Sequence, residues 1–295
     1  MIYLDSAATS LQKPPEVARA VVRAMQSCAS PGRGDHAAAM RAAETVFACR
    51  EEAAALFHMT QPENVVFTMN ATHALNIAVH SLVREGMRVA VSGFEHNAVM
   101  RPLYASGASI LTSDTPLFDS AALIDWFERH LPECDAAVCT CVSNVFGFIL
   151  PVREIAALCR RFAVPLIVDA SQSAGILDLD FPGLGAAFAA MPGHKGLLGP
   201  HGTGALWVAD GVTLAPLRQG GTGSASESMF QPRIMPDSLE SGTLNLPGIA
   251  GLYAGMRFAL AHQQGHIVPR DHKVVQRHLD LAVEILCRGI RVTEQ

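Results

Sequence analysis

The chain has 295 residues and a formal charge of −5, with 49% hydrophobic and 17% charged residues. This composition is typical of a globular protein with a substantial core, in one large domain or two smaller ones. The mildly acidic balance argues against binding to nucleic acid or to an anionic membrane, because both require clustered positive charge.

The cysteines, the histidines and the N-terminus exclude further classes of protein. The seven cysteines contain no CxxC pair and the twelve histidines contain no HExxH pair, so we expect no metal site. Cys139 and Cys141 alternate along an apolar run and are interpreted as core residues. We find no signal peptide and no apolar run long enough to span a bilayer, which predicts a cytoplasmic protein.

Apolar runs of strand length alternate with segments of helical period along the chain. The predicted strands span 64–69, 88–92, 136–142, 166–169, 186–191 and 204–208. Helices are predicted at 71–83 and 153–162. Strands that are apolar on both faces favour an α/β fold with a mainly parallel sheet covered by helices. Two amphipathic segments follow at 248–264 and 270–288, and residues 290–295 resemble the beginning of a strand.

Lysine is scarce, since the chain contains only Lys13, Lys195 and Lys273. Lys195 lies between two predicted strands among glycines and apolar residues, where burial would lower its pKa and make the amine a nucleophile. The glycines follow this lysine, so the segment is not a Walker A phosphate-binding loop. Lys13, beside two prolines, and Lys273, on an amphipathic segment, are expected to face solvent.

Three further polar groups follow predicted strands, at the end where parallel sheets bind ligands. Residues 70–73 begin a helix, where Thr72 would complete a phosphate site; an ordinary Asn cap is the alternative. Asp169 ends an apolar strand and needs a cationic partner, unless it only caps the next loop. His96 is either an acid–base or stacking group, or a structural histidine.

One ligand accounts for all four groups. Pyridoxal phosphate has a phosphate, an aldehyde, a ring nitrogen and a flat face, which need an anion cradle, a lysine, an acidic partner and a stacking group. The order of these residues along the chain therefore predicts a site for this cofactor.

Seven short segments around these groups resemble the class V aminotransferase family, in particular its branch of cysteine desulfurases and selenocysteine lyases. The segments are 3–10, 30–36, 70–76, 95–97, 169–172, 192–200 and 240–245. The resemblance implies fold type I, that of aspartate aminotransferase, with a mainly parallel seven-stranded sheet in a large domain over 15–246. It also implies that residues 1–14 pack with a small domain. Residues 247–295 would form the beginning of that domain, which is incomplete.

The resemblance implies four roles around the cofactor ring. Lys195 would form the Schiff base with the aldehyde of pyridoxal 5'-phosphate and would later move the α-proton of the substrate. His96 would stack on the pyridine ring and shuttle protons. Asp169 would pair with the ring nitrogen, and Gln172 would hydrogen-bond the ring hydroxyl.

Other implied roles concern the cofactor phosphate. The Ala71 amide, the Thr72 hydroxyl and His194 would bind it. Thr243 would reach the phosphate held by the other subunit of a homodimer. Pro192 stands where many relatives have a serine, which removes one hydroxyl ligand of the phosphate.

The substrate contacts are only partly accounted for. Asn144 would face the cofactor and the substrate amino acid, while Arg33 and His36 would lie in a loop at the entrance. Relatives continue beyond a point equivalent to Gln295, and that part supplies the arginine for the substrate carboxylate and the persulfide-forming cysteine of desulfurases. We therefore expect neither group to be identifiable in this chain.

Three hypotheses follow. The first is removal of sulfur from L-cysteine, or of selenium from selenocysteine, to give alanine, with a sulfur-acceptor protein as a further partner. The second keeps the cofactor but changes the reaction to transamination or another lyase reaction on a small amino acid. The third is a catalytically incomplete subunit that only dimerises.

Overall fold

The secondary structure follows the alternation that the sequence predicts. A computed structural model of the chain describes residues 3–32, 34–224 and 226–263. The strands are β1 (Val65–Thr68), β2 (Arg88–Val91), β3 (Ser109–Thr112), β4 (Ala136–Thr140), β5 (Leu166–Asp169), β6 (Phe188–Pro192) and β7 (Gly204–Val208). The helices are α1 (Pro15–Ser27), α2 (Ala37–Leu56), α3 (Ala71–Leu82), α4 (Asn97–Ala105), α5 (Ser120–His130), α6 (Val152–Arg161), α7 (Phe181–Leu184) and α8 (Leu246–Gln263).

The six predicted strands and both predicted helices are confirmed, with boundaries that agree within two residues. Local signals explain the agreement: α3 begins after Asn70, whose side chain accepts a hydrogen bond of 2.8 Å from the His73 amide. β3 was not predicted, because its residues are exposed or half-buried at the sheet edge and form no continuous apolar run.

The strands form one sheet in the order β1-β7-β6-β5-β4-β2-β3. Neighbours from β3 to β6 pair in parallel, whereas β7 pairs antiparallel with both β6 and β1. β1 therefore runs in the same direction as β6, and β7 alone is reversed. The mainly parallel, seven-stranded α/β fold is confirmed, and six strands end along one edge, where such sheets bind ligands.

Helices bury both faces of the sheet. One core contains Phe127 of α5 and Phe181 of α7, and the other contains Leu103 of α4. Cys139 and Cys141 are 0% and 1% exposed, so their interpretation as core residues is confirmed. The strands are thus held rigidly from both sides, and the polar residues that follow them start from fixed positions.

Helices α1 and α8, near the two limits of the described residues, lie outside this sheet. The first predicted amphipathic segment, 248–264, forms helix α8, which packs against α1 and α2, but its apolar residues are not confined to one face. The segment 270–288 and the strand at 290–295 lie outside the described residues, so the division into 1–14, 15–246 and 247–295 stays a prediction. Within the described ranges, no helix is long and apolar enough to cross a membrane, and no group of side chains is arranged to hold a metal ion.

Candidate active site

Four of the residues singled out in the sequence follow strands that end at the same edge of the sheet. Thr72 follows β1, His96 follows β2, Asp169 ends β5, and Lys195 follows β6. The charges of Lys195 and His96 both act on the Asp169 carboxyl, so these three side chains lie close together. The fold thus assembles one site from segments that are far apart in the sequence.

Asp169 is the buried acid of this site. Its side chain is 2% exposed, and Oδ1 accepts a hydrogen bond of 2.9 Å from the Ser171 amide. Burial raises the pKa of the Asp169 carboxyl, while the Ser171 hydrogen bonds and the positive charges of Lys195 and His96 lower it in part. A cation bound directly to this carboxyl would stabilise its charged form.

Lys195 supplies the amine. Burial lowers the pKa of the Lys195 amine, and the nearby Asp169 opposes that shift. Its loop packs so tightly on the turn after β5 that a Cβ atom on Gly196 would collide with the Ala174 carbonyl. This close approach, which only glycine permits, places Lys195 beside Asp169.

His96 is held by the first turn of α4. Nδ1 of its ring accepts a hydrogen bond of 3.0 Å from the Ala98 amide, so Nε2 carries the proton of the neutral ring. Glu95 fixes the preceding turn by accepting hydrogen bonds from the Ser92 and Gly93 amides, at 3.1 and 2.8 Å. The ring therefore presents an exposed N–H group in a defined orientation.

The N-terminus of α3 forms an anion cradle. The Asn70 side chain accepts a hydrogen bond from the His73 amide. The Ala71 and Thr72 amides belong to the first turn of the helix, where backbone N–H groups have no acceptor within the helix. The exposed Thr72 side chain and His96 line the same cavity, of about 340 Å³. A phosphate bound at this helix end would lie near the histidine.

The other predicted cofactor residues have protein partners in this structure. Gln172 Nε2 donates to the Ala7 carbonyl at 2.9 Å. His194 Nδ1 lies 3.0 Å from Thr9 Oγ1, and its ring stacks on His201 with centroids 4.9 Å apart. Burial and the surrounding positive charges lower the pKa of His194 to about 4, so at neutral pH this ring could offer a phosphate a hydrogen bond but no charge.

The remaining predicted contacts have other surroundings or fall outside the described residues. Asn144 is exposed in the loop after β4, and His36 caps α2 by accepting from the Ala39 amide at 3.4 Å. Thr243 lines a different cavity, of about 330 Å³. Arg33 lies outside the described residues.

The expectation for Lys13 is wrong. Its amine does not face solvent but donates to the Ser10 and His194 carbonyls, at 2.7 and 2.8 Å. Sequence reasoning missed this contact because the two partners are separated by 181 residues. The motif at residues 3–10, which lies beside this lysine, could have indicated that the segment contacts the rest of the protein. Lys273 lies outside the described residues.

The residues present fit pyridoxal phosphate. The buried Asp169 carboxyl, which has no ion pair among the described residues, suits a protonated ring nitrogen, and a neighbouring primary amine suits an aldehyde. The free helix amides suit a phosphate, and the imidazole supplies a flat face.

Comparison with known proteins finds relatives of the whole described fold. The chain is 34% identical to a probable cysteine desulfurase of Methanothermobacter thermautotrophicus, over 87% of this chain and 66% of that protein. It is 31% identical to a probable cysteine desulfurase of Halalkalibacterium halodurans, over 97% and 73% of the two chains.

A solved structure supports the same relation. The apo cysteine desulfurase of Thermococcus onnurineus superimposes with a TM-score of 0.83 at 28% identity, covering 94% of this chain and 71% of that one. The chain thus spans about two thirds of the length of such relatives. The family model for class-V aminotransferases matches residues 2–284, and the chain belongs to that family.

Proposed function

We propose that this protein is a pyridoxal-phosphate-dependent cysteine desulfurase, which removes sulfur from L-cysteine and leaves alanine. The observation that carries the proposal is the half-buried Lys195 amine beside the buried Asp169 carboxyl, at the sheet edge that also holds an anion cradle. The names of the two relatives and the solved structure favour cysteine as the substrate.

Pyridoxal 5'-phosphate is the cofactor of this family. When bound, it supplies an aldehyde that condenses with amines and a ring that accepts electron density from the α-carbon of an amino acid. Asp169 would hold its ring nitrogen, the Ala71 and Thr72 amides its phosphate, and Lys195 its aldehyde.

Lys195 is suited to act as both nucleophile and base. Because burial lowers the pKa of its amine, a larger fraction is neutral near pH 7 than for an exposed lysine. Lys195 Nζ would hold the cofactor aldehyde and, when free, would take the proton from the substrate α-carbon. Asp169 keeps the ring nitrogen protonated, because a buried carboxylate strongly favours a cationic partner.

His96 holds a proton at Nε2, on the exposed side of its ring. In this position it can donate to a group leaving the substrate and take the proton back from the acceptor thiol. The Ala98 amide, which occupies Nδ1, keeps the ring from turning the wrong nitrogen toward the substrate.

The sulfur acceptor is proposed to be none of the four buried cysteines of the described chain. Burial raises the pKa of the Cys49 thiol, raises that of Cys141 to about 12, and also raises the pKa of Cys139 and Cys159. Such thiols are poor nucleophiles. An acceptor thiolate would attack the substrate sulfur, forming an S–S bond as the Cβ–S bond breaks; the electron pair of that bond would stay with Cβ, which takes up a proton to give alanine.

A homodimer is part of the proposal. Thr243 is exposed at the rim of its own cavity and lies apart from the Lys195 cluster, which suits a residue that serves a second subunit. Its polar hydroxyl could then bind the phosphate held by the partner.

The test is to incubate the purified protein with pyridoxal phosphate and L-cysteine, and to measure absorbance, sulfide and alanine. We expect a visible band, and sulfide and alanine in equal amounts when a small thiol is present. Lys195→Ala should lose the band and lower turnover by several orders of magnitude, as removal of a covalent catalytic group does in other enzymes.

The matched control is Lys273→Ala, another lysine removal, which should keep both the band and the turnover. Turnover that requires a keto acid and releases no sulfide would replace the proposal with transamination. A protein that acquires no band with added cofactor would be a catalytically incomplete subunit.

A further inference from the structure

The N-terminal segment touches the protein backbone on both sides of Lys195. Residues 3–14 contain no helix or strand, yet four donors of this segment surround the His194 carbonyl. They are Ser10 N at 3.2 Å, Ser10 Oγ at 3.0 Å, Thr9 Oγ1 at 3.1 Å and Lys13 Nζ at 2.8 Å. Ser10 Oγ also lies 2.9 Å from the Lys195 carbonyl.

The protons of this network can be assigned without conflict. The three protons of Lys13 Nζ match its three acceptors, which are the Ser10 carbonyl, Ser10 Oγ and the His194 carbonyl, at 2.7, 2.7 and 2.8 Å. Ser10 Oγ, which accepts from Lys13, then donates its single proton to the Lys195 carbonyl. The Ser10 amide gives the His194 carbonyl its second hydrogen bond, and the Thr9 hydroxyl is left for His194 Nδ1.

This arrangement fixes the backbone dihedral angles of Lys195. The His194 carbonyl belongs to the peptide group before the Lys195 Cα atom, and the Lys195 carbonyl belongs to the group after it. Holding both planar groups determines φ and ψ, and these angles set the direction in which the Cα–Cβ bond points. The Lys195 carbonyl also accepts from the Leu198 amide at 2.9 Å, so a hydrogen bond within the loop helps to hold the peptide group after Lys195.

Burial gives the contact its strength. Lys13 is half-buried, and burial lowers the pKa of its amine, while its three protein acceptors replace the water that it loses. A hydrogen bond from a charged donor is stronger than one between neutral groups. Lys13 therefore stabilises this loop and is not simply a surface charge.

We propose that Ser10 and Lys13 form a clamp on the Lys195 backbone and act as positioning residues for the Lys195 amine. The inference rests on the proposed role of Lys195, since only a reacting amine requires such accurate placement. The clamp is intrinsic to the chain and exists before any cofactor binds.

The first measurement is amide hydrogen exchange on the ligand-free protein. In Ser10→Ala and in Lys13→Met, exchange at the Leu198 and Gly199 amides should rise roughly tenfold, the effect of losing about one net hydrogen bond. Exchange across α5, on a distant part of the sheet, should not change. Lys13→Arg keeps a charged donor and should restore much of the protection.

The second measurement is the rate at which the absorbance band forms after pyridoxal phosphate is added to the ligand-free protein. In Ser10→Ala and Lys13→Met this rate should fall by roughly ten- to a hundredfold, because a displacement of about 1 Å is enough to cost that much. Arg19→Met, which removes an exposed charge from the nearby helix α1, is the matched control and should keep the wild-type rate.

The combined results decide the proposal. Wild-type exchange and wild-type rates in both variants would overturn the clamp, and faster exchange with an unchanged rate would show that it does not position Lys195. A rate loss in Lys13→Met but not in Ser10→Ala would indicate an effect of charge alone and would also overturn it. If the wild-type protein forms no band, the proposed function fails, and the exchange data still decide whether the clamp holds the loop.

Discussion

Asp169 and Glu240 are both buried carboxyl groups, one at the centre of the sheet and the other at its edge, with 2% and 8% exposure. Glu240 is fully satisfied by the protein: its Oε2 lies 2.6 Å from the Arg50 guanidinium, and its Oε1 accepts from the Phe67 amide at 2.5 Å. Among the described residues, the Asp169 side chain accepts from Ser171 and forms no ion pair, although the charges of Lys195 and His96 act on it.

This difference distinguishes Glu240, a carboxyl with a structural role, from Asp169, a carboxyl that can bind a ligand. Arg50 donates to the Val65 carbonyl while Glu240 binds the Phe67 amide, so the pair satisfies the outer side of β1, the edge of the sheet that the described strands form. An unprotected edge strand invites pairing with other chains, and this ion pair closes it. At Asp169 the described residues provide no cation in direct contact with the carboxyl, so a ligand can occupy that position.

The largest effect on folding should come from Glu240→Gln. The substitution leaves the Arg50 charge buried without its anion, which costs about 3–5 kcal/mol in comparable pairs. Urea denaturation of the ligand-free protein measures this loss. Glu16→Gln, in the exposed pair with Arg19, is the control and should cost about 1 kcal/mol or less. Equal losses in the two variants would mean that burial does not distinguish these pairs.

Asp169→Asn should give the opposite result at the other carboxyl. Because burial raises the pKa of Asp169, its charged form is unfavourable in the ligand-free protein, and we expect the neutral amide to leave the free energy of unfolding equal or higher at pH 7. Turnover should fall by roughly 10²–10³-fold, the usual effect of removing one preorganised electrostatic group.

The pH dependence of this variant has a definite sign. Above the ordinary Asp pKa of 3.8, the native state holds the Asp169 proton more tightly than the unfolded state does, so wild-type stability falls as pH rises through the native pKa. The Asn variant lacks this decrease. Asp178→Asn, at an exposed site, is the control. A loss of stability as large as that of Glu240→Gln would show that Asp169 has a structural role.

The contrast also explains what the sequence could and could not predict. β5 and Asp169 were predicted because a buried parallel strand is continuously apolar and its terminal charge is conspicuous. The Lys195 site was predicted because lysine is scarce and the flanking glycines are unusual. Arg50 and Glu240 were not paired in advance, since 190 residues separate them and neither lies in an unusual local pattern. The reversed direction of β7 was likewise not predicted, because direction depends on neighbours rather than on local pattern.

The smallest effect concerns His194, which contacts the N-terminal segment. Burial and the positive charges of His201, Lys195 and Lys13 lower its pKa to about 4. Between the ordinary value of 6.5 and about 4, the unfolded state binds this proton and the native state does not, so His194 makes the protein less stable as pH falls through that range.

NMR titration of the ring should show a midpoint near 4, and a midpoint near 6.5 would contradict the burial of this group. His194→Gln assigns the resonance and should flatten the acid side of the stability curve. Lys13→Met should raise the midpoint, because it removes one of the charges that oppose protonation.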